Sequence, residues 1–228
     1  MRNFLLAATA IAAVAVAPLA HATQIIAFGQ TSGSNTLQAT DNALNTQTTI
    51  TTIAPTGAVV GITQLFGVPT PPTIAGIFTL NATSTDAAQT VGGTGILQHY
   101  AGNFCVSSGA GCTGTIDLQG IFTDAAFGIN GGTQLSVNVA NPPDTLTLTS
   151  TVIPAADLVP PSSFTLSFSN LTSVGGLHIQ GTTIAPFTAS FSGVANASVA
   201  AAPEPASIAL MGVGLLGLGF VANRRRRT

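Results

Sequence analysis

The sequence predicts an all-β fold, a single antiparallel β-sandwich, and three observations predict it. Short segments rich in Val, Ile, Thr and Phe alternate large apolar residues with hydroxyl residues, the period-two pattern of strands with one buried face. Turn-forming Gly, Pro, Asn and Asp recur between them, and away from the two ends there is no helical period. Strands with one greasy face need a second sheet to cover it, and a jelly roll is one form that arrangement takes.

In chain order, residues 24–28 read as a first strand and 29–35 as a polar loop. Residues 48–53 and 58–66 are β-branched and flank Pro55 and Gly57, as two strands around a turn. Residues 68–72 carry Pro69, Pro71 and Pro72; proline cannot donate to a ladder, so a rigid connection outside the sheet is expected. Residues 74–83 form the next strand, 84–95 a polar glycine-rich loop, and 96–100 a short strand. Residues 115–122 set Ile116, Leu118 and Phe122 against Thr115, Asp117 and Gln119, and 134–140 repeat the alternation with Leu135, Val137 and Val139. Asn141-Pro142-Pro143-Asp144 is a turn. The segments 145–153, 163–169 and 187–193 are the clearest strands, with Leu146, Leu148, Phe164, Leu166, Phe168, Phe187, Ala189 and Phe191 inward and Thr or Ser between them.

Charge narrows the functional classes. The chain has 5 Lys+Arg and 7 Asp+Glu, and every cation lies at an end: Arg2, Arg224, Arg225, Arg226 and Arg227. Without Lys or Arg to neutralise phosphates, the body between them does not bind nucleic acid. It also lacks a cationic clamp for an oxyanion. At 5 % charged and 46 % hydrophobic residues the composition is opposite to that of a disordered chain. Residues 23–202 are enough for one domain with a real core.

Catalytic chemistry is sought and not found. His99 and His178 each fall in a short apparent strand, outside any His-Glu-x-x-His or Gly-x-Ser-x-Gly pattern. Asp117 and Asp124 are the nearest thing to a glycosidase pair, yet scattered aspartates on turns and solvent faces account for them better. No loop has the alternating Asp/Asn pattern of a calcium site. No catalytic residue, metal or cofactor is assigned, and the protein is expected not to be an enzyme. Cys105 and Cys112 have the wrong spacing for zinc and suit a disulfide in an oxidising compartment. Sugar-binding platforms are scarce: there is no Trp and one Tyr, and Phe122, Phe164, Phe168, Phe187 and Phe191 are committed to the core by their alternation.

The two ends carry addresses. Arg2, the apolar run 4–16 and the small-x-small site Ala20-His21-Ala22 make residues 1–22 a signal peptide, cleaved after Ala22 to start the mature chain at Thr23. At the other end Pro203-Glu204-Pro205 precedes an apolar run over 206–222 and then Arg224, Arg225, Arg226 and Arg227. Those 17 apolar residues would span about 26 Å as a helix, the short end of a transmembrane segment, and the arginines favour the cytoplasmic side.

This order of triplet, apolar segment and arginine cluster over 203–228 resembles the PEP-CTERM sorting signal of Gram-negative bacteria. The resemblance implies that exosortase, an integral-membrane cysteine protease, recognises the tail and cuts near Pro203-Glu204-Pro205. It implies passage through the inner membrane, transiently held by 206–222, and delivery to the cell surface or beyond, commonly where exopolysaccharide is made. Exosortase and exopolysaccharide are thus the expected partners. The resulting expectation is an exported, non-enzymatic surface or extracellular-matrix protein of biofilm or envelope. The alternatives are a secreted hydrolase of polysaccharide or polypeptide, and a calcium- or small-ligand-binding extracellular module.

Overall fold

The computed structural model describes residues 22–66, 68–92, 95–128 and 133–198. The segment expected to be a signal peptide, up to His21 and including Ala20, and the whole tail with its Pro-Glu-Pro triplet, apolar run and arginines lie outside the described residues. Ala22 lies inside them, at the start of the first strand.

Fourteen strands are described: β1 Ala22–Gln30, β2 Leu37–Asp41, β3 Thr48–Thr52, β4 Ala58–Leu65, β5 Val68–Ser84, β6 Gln89–Val91, β7 Gly95–Gly109, β8 Thr113–Phe127, β9 Gln134–Asn138, β10 Thr145–Thr149, β11 Val159–Thr172, β12 Ile179–Gln180, β13 Thr183–Ile184 and β14 Phe187–Ser198. No α-helix occurs among the described residues; a single 3-10 turn covers Ala155–Asp157. All pairings are antiparallel, and twelve strands form one sheet, leaving β12 and β13 as a separate ribbon.

That sheet closes. β5 pairs with β7, β7 with β8, β8 with β9, β9 with β11, β11 with β14, β14 with β1, β1 with β4, and β4 with β5 again. A second bridge, β2–β3, joins β14 to β5. The expected all-β antiparallel fold is therefore present and sandwich-like, with two walls joined at their sides into one sheet. Closure leaves few edges exposed to pairing with another chain.

An eight-stranded circuit has an interior that side chains can fill, and here aromatic rings fill it. Phe104 on β7 stacks on Phe164 on β11 with centroids 3.8 Å apart, wall to wall. Phe78 lies 4.7 Å from Phe191 and 5.1 Å from Phe28. Phe127 packs with Phe168 and Phe187. The five phenylalanines assigned to the core from alternation are all buried there.

Four expectations are corrected. Val68 to Pro72 is not a connection outside the sheet but the first part of β5. Pairing to β7 begins only at Ile77, so this end of β5 has one free edge, where a missing N–H costs no ladder bond. The loop expected over 84–95 contains the short strand β6, which pairs with Gly95, Ile96 and Leu97. His178 lies in the turn before β12 rather than in a strand, exposed, with Nδ1 2.8 Å from the Gly176 carbonyl oxygen. Ser190, expected on the outer face of β14, is buried and donates to Asn35 Oδ1 at 3.0 Å.

Candidate functional site

The densest polar chemistry lies at one end of the barrel, where the end of β2, the start of β3, the end of β5, the start of β7 and the β12–β13 ribbon meet. Thr48 opens β3 fully buried; its N–H donates to Ser84 Oγ and its hydroxyl to Asp41 Oδ1, each at 2.9 Å. Tyr100, also fully buried, donates its phenolic proton to Gln98 Oε1 at 2.9 Å. Gln98 in turn donates through Nε2 to the Asp86 carbonyl at 3.0 Å. Buried polar groups of this kind must be paired, and at this end one is not: Asp41 Oδ2 has no partner among the described residues.

Asp86 and His99 form the single ion-pair geometry among the described residues. The His99 N–H donates to Asp86 Oδ1 at 2.8 Å, and His99 Nδ1 lies 2.5 Å from Asp86 Oδ2. Sequence reasoning missed this pair, because the two residues are 13 apart with β6 folded between them. A carboxylate holding an imidazole is two parts of a nucleophilic triad. The third part is missing: no described group bonds to the other ring nitrogen of His99. The arrangement locks the β5–β7 connection and caps the barrel.

Burial pushes the Tyr100 phenol well above its ordinary value, with the nearby Asp41 and Asp86 carboxylates adding to the same direction. Burial alone raises the Asp117 carboxyl, which no described donor satisfies.

The sequence-derived carboxylate pair does not converge. Asp117 and Asp124 sit seven residues apart along β8, so about 23 Å of strand separates them at ~3.3 Å per residue. Glycosidase carboxylates stand roughly 5–9.5 Å apart. No group of three or more His, Cys, Asp or Glu able to hold a metal is found among the described residues. Cys105 and Cys112 are joined in a disulfide across the β7–β8 hairpin.

Among the described residues the outer surface carries open grooves, two of which have uncharged, partly polar linings. One, about 450 Å³, lies between β2, the end of β11 and the start of β14 and is lined by Gln38, Thr40, Thr172, Val174 and Thr188 among others. The second, about 340 Å³, includes Thr51, Thr79, Asn81 and Asn103 from β3, β5 and β7. No charged side chain lines either groove.

Comparison with known proteins locates one feature. Residues 201–227 match the PEP-CTERM protein-sorting motif, in agreement with the resemblance read from the triplet, apolar run and arginines. The motif indicates an exosortase-targeted secreted protein, exported as a membrane-anchored precursor. No curated protein and no solved structure matches the chain.

Proposed function

From a chain whose residues 201–227 are a PEP-CTERM protein-sorting motif, we propose a non-enzymatic cargo, delivered by exosortase processing to the cell surface or extracellular matrix and working there as a structural component beside exopolysaccharide. The motif is the observation that carries this reading. The barrel supports it in three ways. Its interior is filled by packed aromatic rings. Its wall is closed by hydrogen bonds, which suits a domain that must persist outside the cell. Its cross-link is a disulfide, stable in an oxidising compartment.

The ends of the barrel also suit cargo. Ala22 pairs with Ser198 and Thr23 with Ala197, so both chain ends leave the fold at one pole. Fractionation of producing cells tests the proposal. The matrix or surface fraction should hold a protein whose N-terminus is Thr23 and whose mass lacks the segment after the triplet. It should leave isolated matrix polymer intact. Hydrolysis of that polymer by the purified protein would favour the secreted-hydrolase alternative instead.

A further inference from the structure

Strand register brings uncharged polar residues, interrupted once by Ile121, into one row on the outside of the wall. Thr147 on β10 faces Ile121 on β8, Ile121 faces Asn103 on β7, and Asn103 faces Asn81 on β5. Asn81 then faces Thr51 on β3, Thr51 faces Gln38 on β2, and Gln38 faces Thr188 on β14. Beside it Thr149 faces Gln119, Gln119 faces the buried, disulfide-bonded Cys105, and Cys105 faces Thr79. These rows cross the strands at right angles, and both surface grooves lie on them, one around Thr51, Asn81 and Asn103 and the other around Gln38 and Thr188.

The side chains of Gln38, Thr51, Asn81 and Asn103 make no hydrogen bond among the described residues. Their amides and hydroxyls thus stand unpaired in a line, each both donor and acceptor. Neighbouring positions repeat at the strand spacing of ~4.8 Å, close to the advance of an extended glycan per sugar ring. Ile121, 60 % exposed, adds an apolar contact in the same line, suited to the C–H face of a ring.

We infer that this row is a docking track for a neutral, extended polysaccharide, lying across the strands with its hydroxyls bonded to the amides of Asn81, Asn103 and Gln38 and the hydroxyl of Thr51. Neutrality on both sides selects the partner. There is no Lys or Arg between Asn3 and Asn223 to attract a polyanion, and no carboxylate on the row to attract a polycation. With no Trp and a single, buried Tyr, no exposed aromatic platform of that kind adds grip, so each sugar is held weakly and retention must grow with the number of strands crossed. The inference rests on the matrix reading above and narrows it to one polymer class and one surface.

The test is affinity electrophoresis of the exported protein in gels containing a linear neutral β-glucan, with a linear polyuronate of similar length as comparison. The neutral polymer should retard the protein, increasingly with chain length, and the polyuronate should not. Asn81→Ala with Asn103→Ala should cut the retardation at least tenfold without changing the melting temperature, while Thr165→Ala on β11, off the row, should leave it unchanged. Equal retardation of the row variant, no retardation by the neutral glucan, or stronger retardation by the polyuronate would overturn the track. Co-fractionation with the cell's own matrix separates the two readings. If the unaltered protein co-fractionates with the matrix but shows no glucan retardation, the track fails and the matrix role stands; if co-fractionation is absent for the unaltered protein, the matrix role itself fails.

Discussion

The Phe28 ring lies over Gly193 directly across the β1–β14 ladder, where an added Cβ would come within 2.3 Å of the ring's Cζ. This contact is part of the seam that closes the barrel. Phe28 is itself buried and held by Phe78 and Phe191, so the ring cannot swing away. Phe28→Ala should cost about 3–5 kcal/mol in denaturant unfolding, and Gly193→Ala about 1–3 kcal/mol. In the Phe28→Ala background the alanine at 193 should cost little, since the ring it strikes is gone. Strict additivity of the two changes would show that the ring does not set the requirement for glycine.

The Cys105–Cys112 bridge closes a loop with a sequence separation of 7 at the β7–β8 hairpin. The loop-entropy account gives about 2–3 kcal/mol for so short a closure. Replacing both cysteines with alanine should lower unfolding stability by up to that amount and leave the barrel folded. Mass spectrometry of the unreduced protein after thiol alkylation should find no label; two alkylated cysteines would contradict the bridge.

Tyr100 and Asp117 predict stability losses of the same sign, with rising pH, in two separate ranges. The phenol is raised by burial, so the unfolded chain loses this proton first, from pH about 10 upward. Tyr100 therefore contributes stability that is full below that range and lost as pH climbs through it. Tyr100→Phe should remove this alkaline decline and cost about 1–2 kcal/mol at neutral pH by leaving Gln98 Oε1 with one long bond from Ile184.

The Asp117 carboxyl is also raised by burial, so the folded state holds its proton more readily than the unfolded chain does. Its contribution is present below the ordinary carboxylate value of about 3.9 and lost as pH rises through the folded value. Asp117→Asn should raise the melting temperature at pH 7 and change little near pH 3. Equal melting temperatures for the two proteins at pH 7 would contradict a desolvated carboxylate.

The strands that alternate cleanly, such as Phe164, Leu166 and Phe168 or Leu146 and Leu148, could be read directly because one face packs and the other is wet. The longest strands could be read only in part; β7 reads as broken near Gly102, a glycine that looks like an end. Gly102 lies inside β7, opposite Phe122 in the ladder, where a Cβ would come 2.1 Å from the Asn81 carbonyl oxygen; Gly120 lies inside β8 under the Phe104 ring. Both are close-approach points in continuous strands. Proline misled for the related reason that its cost depends on whether the neighbouring edge is occupied, a tertiary fact. β1 to β14 closure, the Asp86–His99 pair and the Thr51–Asn81–Asn103 row are products of register between distant strands, and no local pattern announces them.

The central claim concerns the tail, and the measurement that tests it most directly is the fate of a chain with Pro203, Glu204 and Pro205 all replaced by alanine. Intact mass of the cell fractions should find this variant as an uncleaved precursor retained in the membrane, with the barrel folded and only the leader removed. Release of the variant with the same mass loss and in the same amount as the unaltered protein would contradict sorting through the Pro-Glu-Pro signal.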